Sequence, residues 1–177
     1  MKFKIYFITL LSIASLVLSC ESDDSLNYQN DFENSQEAWL NFKESSNNSY
    51  KYVIPGGTLS SPSWETTITV SNGVIIERDF KYTTGGDLSL IPEDQLEWTE
   101  NESEINSSEH EDTAAYYALT LDDIYDKAEQ EWLIKRKDAT TYFESNNNGL
   151  ISSCGYVMNG CADSCFTGIG IKSIETL

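Results

Sequence analysis

The dipeptide Asn72-Gly73 lies between two runs of alternating apolar and polar residues, and it constrains the fold more than any other feature of this 177-residue sequence. Both central residues of a type I′ turn need positive φ, so Asn-Gly between such runs strongly indicates a β-hairpin. In each run, alternate residues share one face, and Arg78 is the charged member of the second set. The two sets are Trp64, Thr66, Ile68 and Val70, and Val74, Ile76, Phe80 and Tyr82. The sequence therefore predicts an antiparallel hairpin with one buried face.

Two helices and several more strands are predicted around this hairpin. A helix that begins at Ser35 carries Trp39 and Phe42 toward the core. A second helix begins at Thr120, has acids in its first turn and ends in the basic cluster 135–137. Further strands are predicted at residues 50–54, 140–143, 150–158 and 169–174. The order predicts an α+β fold, with an antiparallel sheet of about five to six strands and two helices packed on one face.

Nine acidic residues and no basic residue lie between positions 93 and 112. Their mutual repulsion predicts an extended or mobile acidic loop at about residues 84–115. A calcium-binding or partner-binding loop is the functional alternative, but the EF-hand spacing of Asp and Asn around a glycine is absent. The single histidine, His110, lies within this loop. An imidazole in a mobile loop is poorly preorganised, so a Ser-His-Asp or Cys-His nucleophilic site is not expected.

Three cysteines, Cys154, Cys161 and Cys165, lie within twelve residues of one another. In an oxidising exported compartment they predict one disulfide and one leftover thiol. The candidate pairs are Cys161 with Cys165 and Cys154 with Cys161. Zinc bound by the three thiols, with Asp163 as fourth ligand, is the alternative, but the spacing does not match a familiar zinc site.

The N-terminus has the features of a cleavable export signal. Lys2 and Lys4 precede an apolar run over residues 5–18, which is shorter than the roughly 20 residues of a spanning helix. The end of this run, Ser19-Cys20, resembles the lipobox of bacterial lipoproteins, in which a small residue precedes a cysteine that receives lipid. The resemblance implies cleavage after Ser19 and a membrane anchor on Cys20. An ordinary secretory signal with an incidental cysteine is the alternative.

The acidic stretch at residues 21–24 follows Cys20 directly. It resembles the signal by which some Gram-negative lineages export lipoproteins to the outer face of the outer membrane. A solvated acidic tether would have the same composition. The expected location is therefore the outer membrane, by a lipid anchor, and surface display is one of the two interpretations of the acidic stretch.

The composition of the mature chain limits the classes of partner that it can bind. Residues 1–19 contain two of the 11 basic residues and no acid, which leaves 9 basic and 29 acidic residues and a formal charge of −20. Nucleic acid is not an expected partner, because its binding needs Lys and Arg to displace counterions. The chain divides into a signal peptide at 1–19, an acidic flexible tether at 20–34 and a single α+β domain at 35–177. Membrane contact is expected through lipid on Cys20 alone.

The layout of the domain is similar to that of a family of small secreted lipoproteins of unknown function. The similarity rests on Trp39, the strand Tyr50-Lys51-Tyr52, the hairpin around Asn72-Gly73, the start of the helix at Thr120 and a C-terminal β-hairpin. It implies a fold and a location, and it assigns no catalytic residue, metal site or cofactor. The expected function is a non-catalytic cell-envelope module that binds a protein or a glycan. The alternative is a small hydrolase, such as a glycosidase, that uses paired carboxylates.

Overall fold

A five-stranded antiparallel sheet and a three-stranded antiparallel sheet carry the fold, which belongs to the α+β class. The structure is a computed structural model that describes residues 23–57, 62–84, 87–105, 107, 110, 113–162 and 165–177. The chain divides into two compact units, residues 1–30 and residues 31–177. The described part of the first unit is the beginning of a helix. The predicted signal peptide and Cys20 lie outside the described residues.

The helices and strands follow one another in an order close to the predicted one. Their bounds are α1 Asp23–Ser45, β1 Tyr50–Gly56, β2 Ser63–Ser71, β3 Val74–Thr84, β4 Glu97–Asn101, α2 Leu121–Lys127, a π-helical turn Ala128–Trp132, β5 Ala139–Glu144, β6 Ser153–Met158, β7 Phe166–Gly170 and β8 Ser173–Thr176. Two short 3-10 helices, Leu88–Leu90 and Glu93–Gln95, precede β4. The strand order is β4-β3-β2-β1-β8 in the larger sheet and β5-β6-β7 in the smaller one.

The predicted hairpin is confirmed as β2 and β3. Ser71 pairs with Val74, and the turn residues Asn72 and Gly73 have φ of 50° and 81°, as a type I′ turn requires. The alternating set of β2 contributes fully buried side chains to the core. They are Thr66, Ile68 and Val70. Beside them, β1 buries Tyr50, Tyr52 and Ile54 on the same face.

The prediction for the beginning of β3 was wrong, because the strand contains a β-bulge. Val70 pairs with Ile75, whereas the preceding residue, Thr69, pairs with Glu77. The extra residue, Ile76, reverses the direction of the side chains before it. Val74 and Ile76, expected in the buried set, are therefore 50% and 37% exposed.

Helix α1 begins at Asp23, so residues 23–34, expected to be a flexible tether, are helical. The buried residues Phe32, Ser35 and Trp39 are spaced by three and four positions, which is the spacing of one helical face. This face extends a turn before Ser35, where the predicted helix begins. Trp39 is buried as predicted.

The acidic segment contains regular structure that the prediction missed. Strand β4 lies within it and pairs with β3, with Trp98 opposite Phe80 and Glu100 opposite Arg78. Alternate residues of β4 are buried, namely Trp98 and Glu100. Pairing to a neighbouring strand places the two acids of β4 on opposite faces, so that Glu97 remains in water while Trp98 and Glu100 face the protein interior.

Helix α2 has the predicted start, but its α-helical part ends at Lys127 and the π-helical turn after it ends at Trp132, before the basic cluster 135–137. Thr120 and Asp123 form a capping box, in which each side chain bonds the backbone amide of the other. The predicted apolar stripe is buried. It consists of Leu121, Ile124, Tyr125, Ala128, Trp132 and Leu133. Past the π-helical turn, Arg136 donates to the carbonyls of Glu131 and Trp132, so this basic cluster caps the helix as expected.

The C-terminal segment 169–174, expected to be one strand, is divided between the two sheets. Strand β7 ends at Gly170 and pairs with β6, whereas β8 begins at Ser173 and pairs with β1. Between them, the buried Ile171 bonds through its amide to Ser152, and the Lys172 amide bonds to Val53. The apolar run thus links two sheets, which its alternation alone does not reveal.

Candidate functional site

The segment that leads into α2 is held over the five-stranded sheet by side chains of that sheet. The Tyr116 amide donates to Thr66 Oγ1 at 3.1 Å, and Arg78 Nη1 donates to the Tyr116 carbonyl at 3.2 Å. The Tyr52 hydroxyl donates to the Leu119 carbonyl at 2.5 Å. These bonds satisfy backbone groups that no strand or helix pairs. The segment is therefore fixed in place without regular secondary structure.

Tyr116 also joins this segment to the three-stranded sheet. Its hydroxyl donates to the carbonyl of Gly168 in β7 at 2.9 Å. Gly168 has φ of 153°, and a Cβ there would clash with the Cys154 carbonyl oxygen, so the strand needs glycine at this point. Burial raises the pKa of Tyr116, and the Glu131 carboxylate raises it further. The neutral hydroxyl is therefore the form that bridges the two elements.

An open groove of about 440 Å³ lies beside this segment. Most of its lining is aromatic or apolar: Tyr116, Tyr117, Ala118, Leu119, Lys127, Trp132, Thr167 and Gly168. We call these eight residues the aromatic groove. Tyr117 is 60% exposed, whereas Trp132 is 4% exposed and forms part of the floor. The volume lies within the range of sites that hold small molecules or short segments.

A second depression, of about 310 Å³, adjoins the aromatic groove along α2. The two share Leu119 and Lys127, and the remaining lining of the second is polar. We call these polar residues, Asp123, Asp126, Gln130 and Glu131, the acidic shelf. Asp123 is engaged in the capping box, and Asp126 is exposed. The site therefore has an apolar end and an acidic end.

Lys127 lies where the two ends meet. Its Nζ is 6.0 Å from the centroid of the Trp132 ring and 3.4 Å from Glu131 Oε2. Its position combines a cation–π contact with an ion pair, both partly exposed to solvent. The ring of Trp132 is thus already approached by a cationic side chain of the same chain.

A buried charged cluster lies on the neighbouring strands. Arg78 donates from Nε and Nη2 to the two carboxylate oxygens of Glu100 at 2.8 and 2.7 Å. The Arg78 guanidinium also lies 5.0 Å from the centroid of the Trp98 ring. Among the described residues, Arg78 and Glu100 are the only charged side chains that are buried. A bidentate pair of this kind is strong and stabilises the ionised carboxylate.

His110 belongs to the same cluster, and the expectation that it would be isolated in a mobile loop was wrong. Its Nδ1 lies 2.9 Å from Glu100 Oε1. Its ring stacks on Trp98, with centroids 3.9 Å apart and planes inclined by 2°. The same carboxylate is already bonded to Arg78, so this arrangement holds His110 against β4.

The cysteines form one disulfide with one thiol left over, as predicted. Cys161 and Cys165 are bonded, with Cα atoms 6.1 Å apart, so this member of the two candidate pairs is the one formed. Cys154 is a free thiol that is fully buried. Asp163, the fourth ligand in the zinc alternative, lies outside the described residues.

We expect Cys154 to be unreactive in the folded protein at neutral pH and to destabilise the fold in alkali. Burial raises the pKa of its thiol to about 12 from an ordinary value of 9.0. A raised folded-state pKa stabilises the fold below the unfolded-state pKa, and this stabilisation is lost as pH rises from 9.0 toward 12. A thiol reagent at pH 8 should label Cys154 only after urea is added. Urea unfolding at pH values from 9 to 12 should show that the free energy of unfolding of wild type falls relative to that of Cys154→Ala. If the two free energies change with pH in parallel, the prediction is wrong.

Two further features are absent from the described part of the chain. In it, no group of three or more His, Cys, Asp and Glu side chains is placed to hold a metal ion. Among these same residues, no helix is long and apolar enough to cross a membrane.

Comparisons with protein-family models, with curated proteins and with solved structures found no match.

Proposed function

We propose that this chain is a non-catalytic cell-envelope lipoprotein, whose domain binds a protein or glycan ligand and is held at the membrane by lipid on Cys20. The observation that carries the binding part is the aromatic groove with the acidic shelf beside it. Ligand sites are typically concave and mainly apolar, with a few polar groups that orient the ligand. The exposed ring of Tyr117 offers such a ligand a contact surface.

The proposed anchor is supported by the sequence before the domain. An apolar run with basic residues at its start ends in Ser19-Cys20, and an acidic stretch follows. A domain this acidic is repelled by anionic lipid head groups, so lipid on Cys20 would supply the attachment. The proposed location is the outer membrane, with display at the cell surface if residues 21–24 act as an export signal.

The acids beside the aromatic groove are engaged in contacts that differ from those of a hydrolase with paired carboxylates. Glycoside hydrolysis needs two carboxyl groups roughly 5 to 10 Å apart across a cleft, with one of them available as an acid. Beside the groove, Asp123 bonds Thr120 and Glu131 faces Lys127. These contacts give the two acids structural roles.

The anchor is tested by the substitution Cys20→Ala in the full chain, expressed in a Gram-negative host. We expect wild type in the outer-membrane fraction with a mass that includes acyl chains, and the variant in the soluble envelope fraction with no lipid. The reason is that stable attachment requires more than one acyl chain, which Cys20 alone would carry. Cys154→Ala is the matched control and should keep both lipid and location. A Cys20→Ala chain that keeps its mature size and membrane location would refute the anchor.

The same cells test the binding part. A photo-crosslinking phenylalanine analogue is placed at position 117, at the rim of the aromatic groove, or at position 142 as the control. Tyr142 is also exposed, at 47%, but it does not line the groove. Illumination should give a discrete crosslinked product from position 117 and none from position 142. Identical products from both positions, or none from position 117, would contradict a ligand in the groove.

A further inference from the structure

The aromatic groove and the acidic shelf together select for one kind of ligand. One end offers aromatic and aliphatic surface, and the other offers carboxylates on the exposed side of α2 and of the π-helical turn. A ligand that fills both needs apolar length and positive charge. The side chains of lysine and arginine have both properties, because an aliphatic stem ends in a cation.

The charge of the site agrees with this requirement. The acidic shelf has three carboxylates, and among the described residues Lys127 is the one cation that lines either depression. The whole chain has a formal charge of −18, so its field attracts cations and repels anions. The Glu131 carboxylate is also one of the causes that raise the pKa of Tyr116, so the field of the acidic shelf extends into the aromatic groove.

Lys127 shows how a bound cation would be held. It already lies over Trp132 and beside Glu131, which is the combination of ring and carboxylate that recognises a basic side chain. Tyr117 and Asp126 lie on the same site and are exposed. They provide a second ring and a second carboxylate for the side chain of a partner.

We propose that the aromatic groove and the acidic shelf bind a short, basic segment of a partner protein, with apolar stems in the groove and cationic ends at the shelf. This inference rests on the proposed function as a binding module and names its ligand class. A neutral glycan fits less well. Trp132 is nearly buried and its ring is approached by Lys127, which leaves Tyr117 as the one well-exposed ring of the groove for stacking a sugar.

The experiment measures binding of three probes to the full-length lipidated protein in micelles of a zwitterionic detergent. The probes are a capped hexapeptide of alternating lysine and leucine, its glutamate counterpart and an oligosaccharide of N-acetylglucosamine. We expect the lysine peptide to bind and the other two not to bind. Asp126→Asn/Glu131→Gln should weaken the binding about tenfold and Tyr117→Ala about fivefold, whereas Lys127→Gln should strengthen it about threefold by removing a competing cation.

The matched control is Glu37→Gln/Glu44→Gln, which removes the same charge from exposed residues of α1 that do not line the site. It should change the affinity by less than about twofold, because attraction to the net charge alone is screened by salt. Equal losses in this control and in Asp126→Asn/Glu131→Gln would overturn the inference, since the peptide would then be held by net charge. Binding of the oligosaccharide instead would overturn the inference and leave the binding-module function standing. Binding of no probe, together with no crosslinked product from position 117, would overturn both.

Discussion

Replacing Glu100 with glutamine is expected to lower the free energy of unfolding by about 3 to 5 kcal/mol, because it leaves a buried guanidinium without its carboxylate. The side chains of Arg78 and Glu100 are 3% and 2% exposed, so water cannot substitute for the lost charge. Glutamine keeps the shape of the side chain and an oxygen that His110 can still contact. The loss should therefore arise from charge and not from a cavity. Urea unfolding followed by tryptophan fluorescence measures this loss. If the free energy of unfolding falls with urea concentration at the same slope as in wild type, the unfolded state is the same.

Two further variants separate this explanation from a general effect of substitution. In Arg78→Met/Glu100→Gln the unpaired charge is absent, so the double variant should be more stable than Glu100→Gln alone. The surface pair Lys51–Glu175, with side chains 46% and 59% exposed, joins β1 to β8 in the same sheet. Lys51→Met/Glu175→Gln should change stability by less than about 1 kcal/mol. If Glu100→Gln costs no more than this control, the buried pair does not stabilise the fold as proposed.

The elements that the sequence predicts well are those whose pattern is local. Asn72-Gly73 sets the turn by its own backbone preference, and Thr120 with Asp123 caps its helix within one turn. The buried residues of β2 follow from strict alternation. In each case the residues that decide the structure are neighbours in the sequence, so no knowledge of the rest of the fold is needed.

The errors concern features that depend on a partner outside the element itself. The bulge at Ile76 is set by the register between β2 and β3, and the alternation of residues within β3 does not reveal it. Strand β4 is hidden by its acids, although Trp98 and Glu100 alternate with exposed residues in the manner of a half-buried strand. The predicted mobile loop followed from the repulsion between the acids and did not take this alternation into account. Only the position of Arg78 on the adjacent strand shows why Glu100 can be buried.

The candidate site was missed for the same reason. Tyr116 and Tyr117 precede the helix cap as an aromatic pair in a segment with no regular period, and such a pair gives little indication of its role. The groove exists because Tyr116 bonds to Gly168, which is 52 positions further along the chain. In the sequence, the acids of the shelf have no feature that separates them from the other exposed acids of the chain. Their relation to the aromatic groove depends on the packing of the π-helical turn beside β7, which only the fold establishes.

Truncation of Tyr125 should destabilise the domain about as much as loss of the buried charge, because this side chain joins three elements. Its ring stacks on Trp39 and Phe32 of α1, with centroid distances of 6.0 and 6.1 Å. Its hydroxyl donates to the Ser35 carbonyl and accepts from the Ile151 amide. Tyr125→Ala removes both the ring and the hydroxyl, so we expect a loss of about 3 to 5 kcal/mol. Urea unfolding of the full chain measures this loss.

The substitution Tyr125→Phe separates the hydroxyl from the ring. It keeps the stacking on α1 and leaves the Ile151 amide without its bond in a buried position, so the expected loss is about 1 to 3 kcal/mol. Burial also raises the pKa of Tyr125, so the wild-type hydroxyl stabilises the fold below the ordinary tyrosine value of 10.0, and this contribution is lost as pH rises above it. The gap between wild type and Tyr125→Phe should therefore narrow above pH 10. Tyr142→Phe, at an exposed position, should change stability by less than about 0.5 kcal/mol. A Tyr125→Phe loss as small as that of Tyr142→Phe would show that the hydroxyl does not join α1 and α2 to the segment before β6.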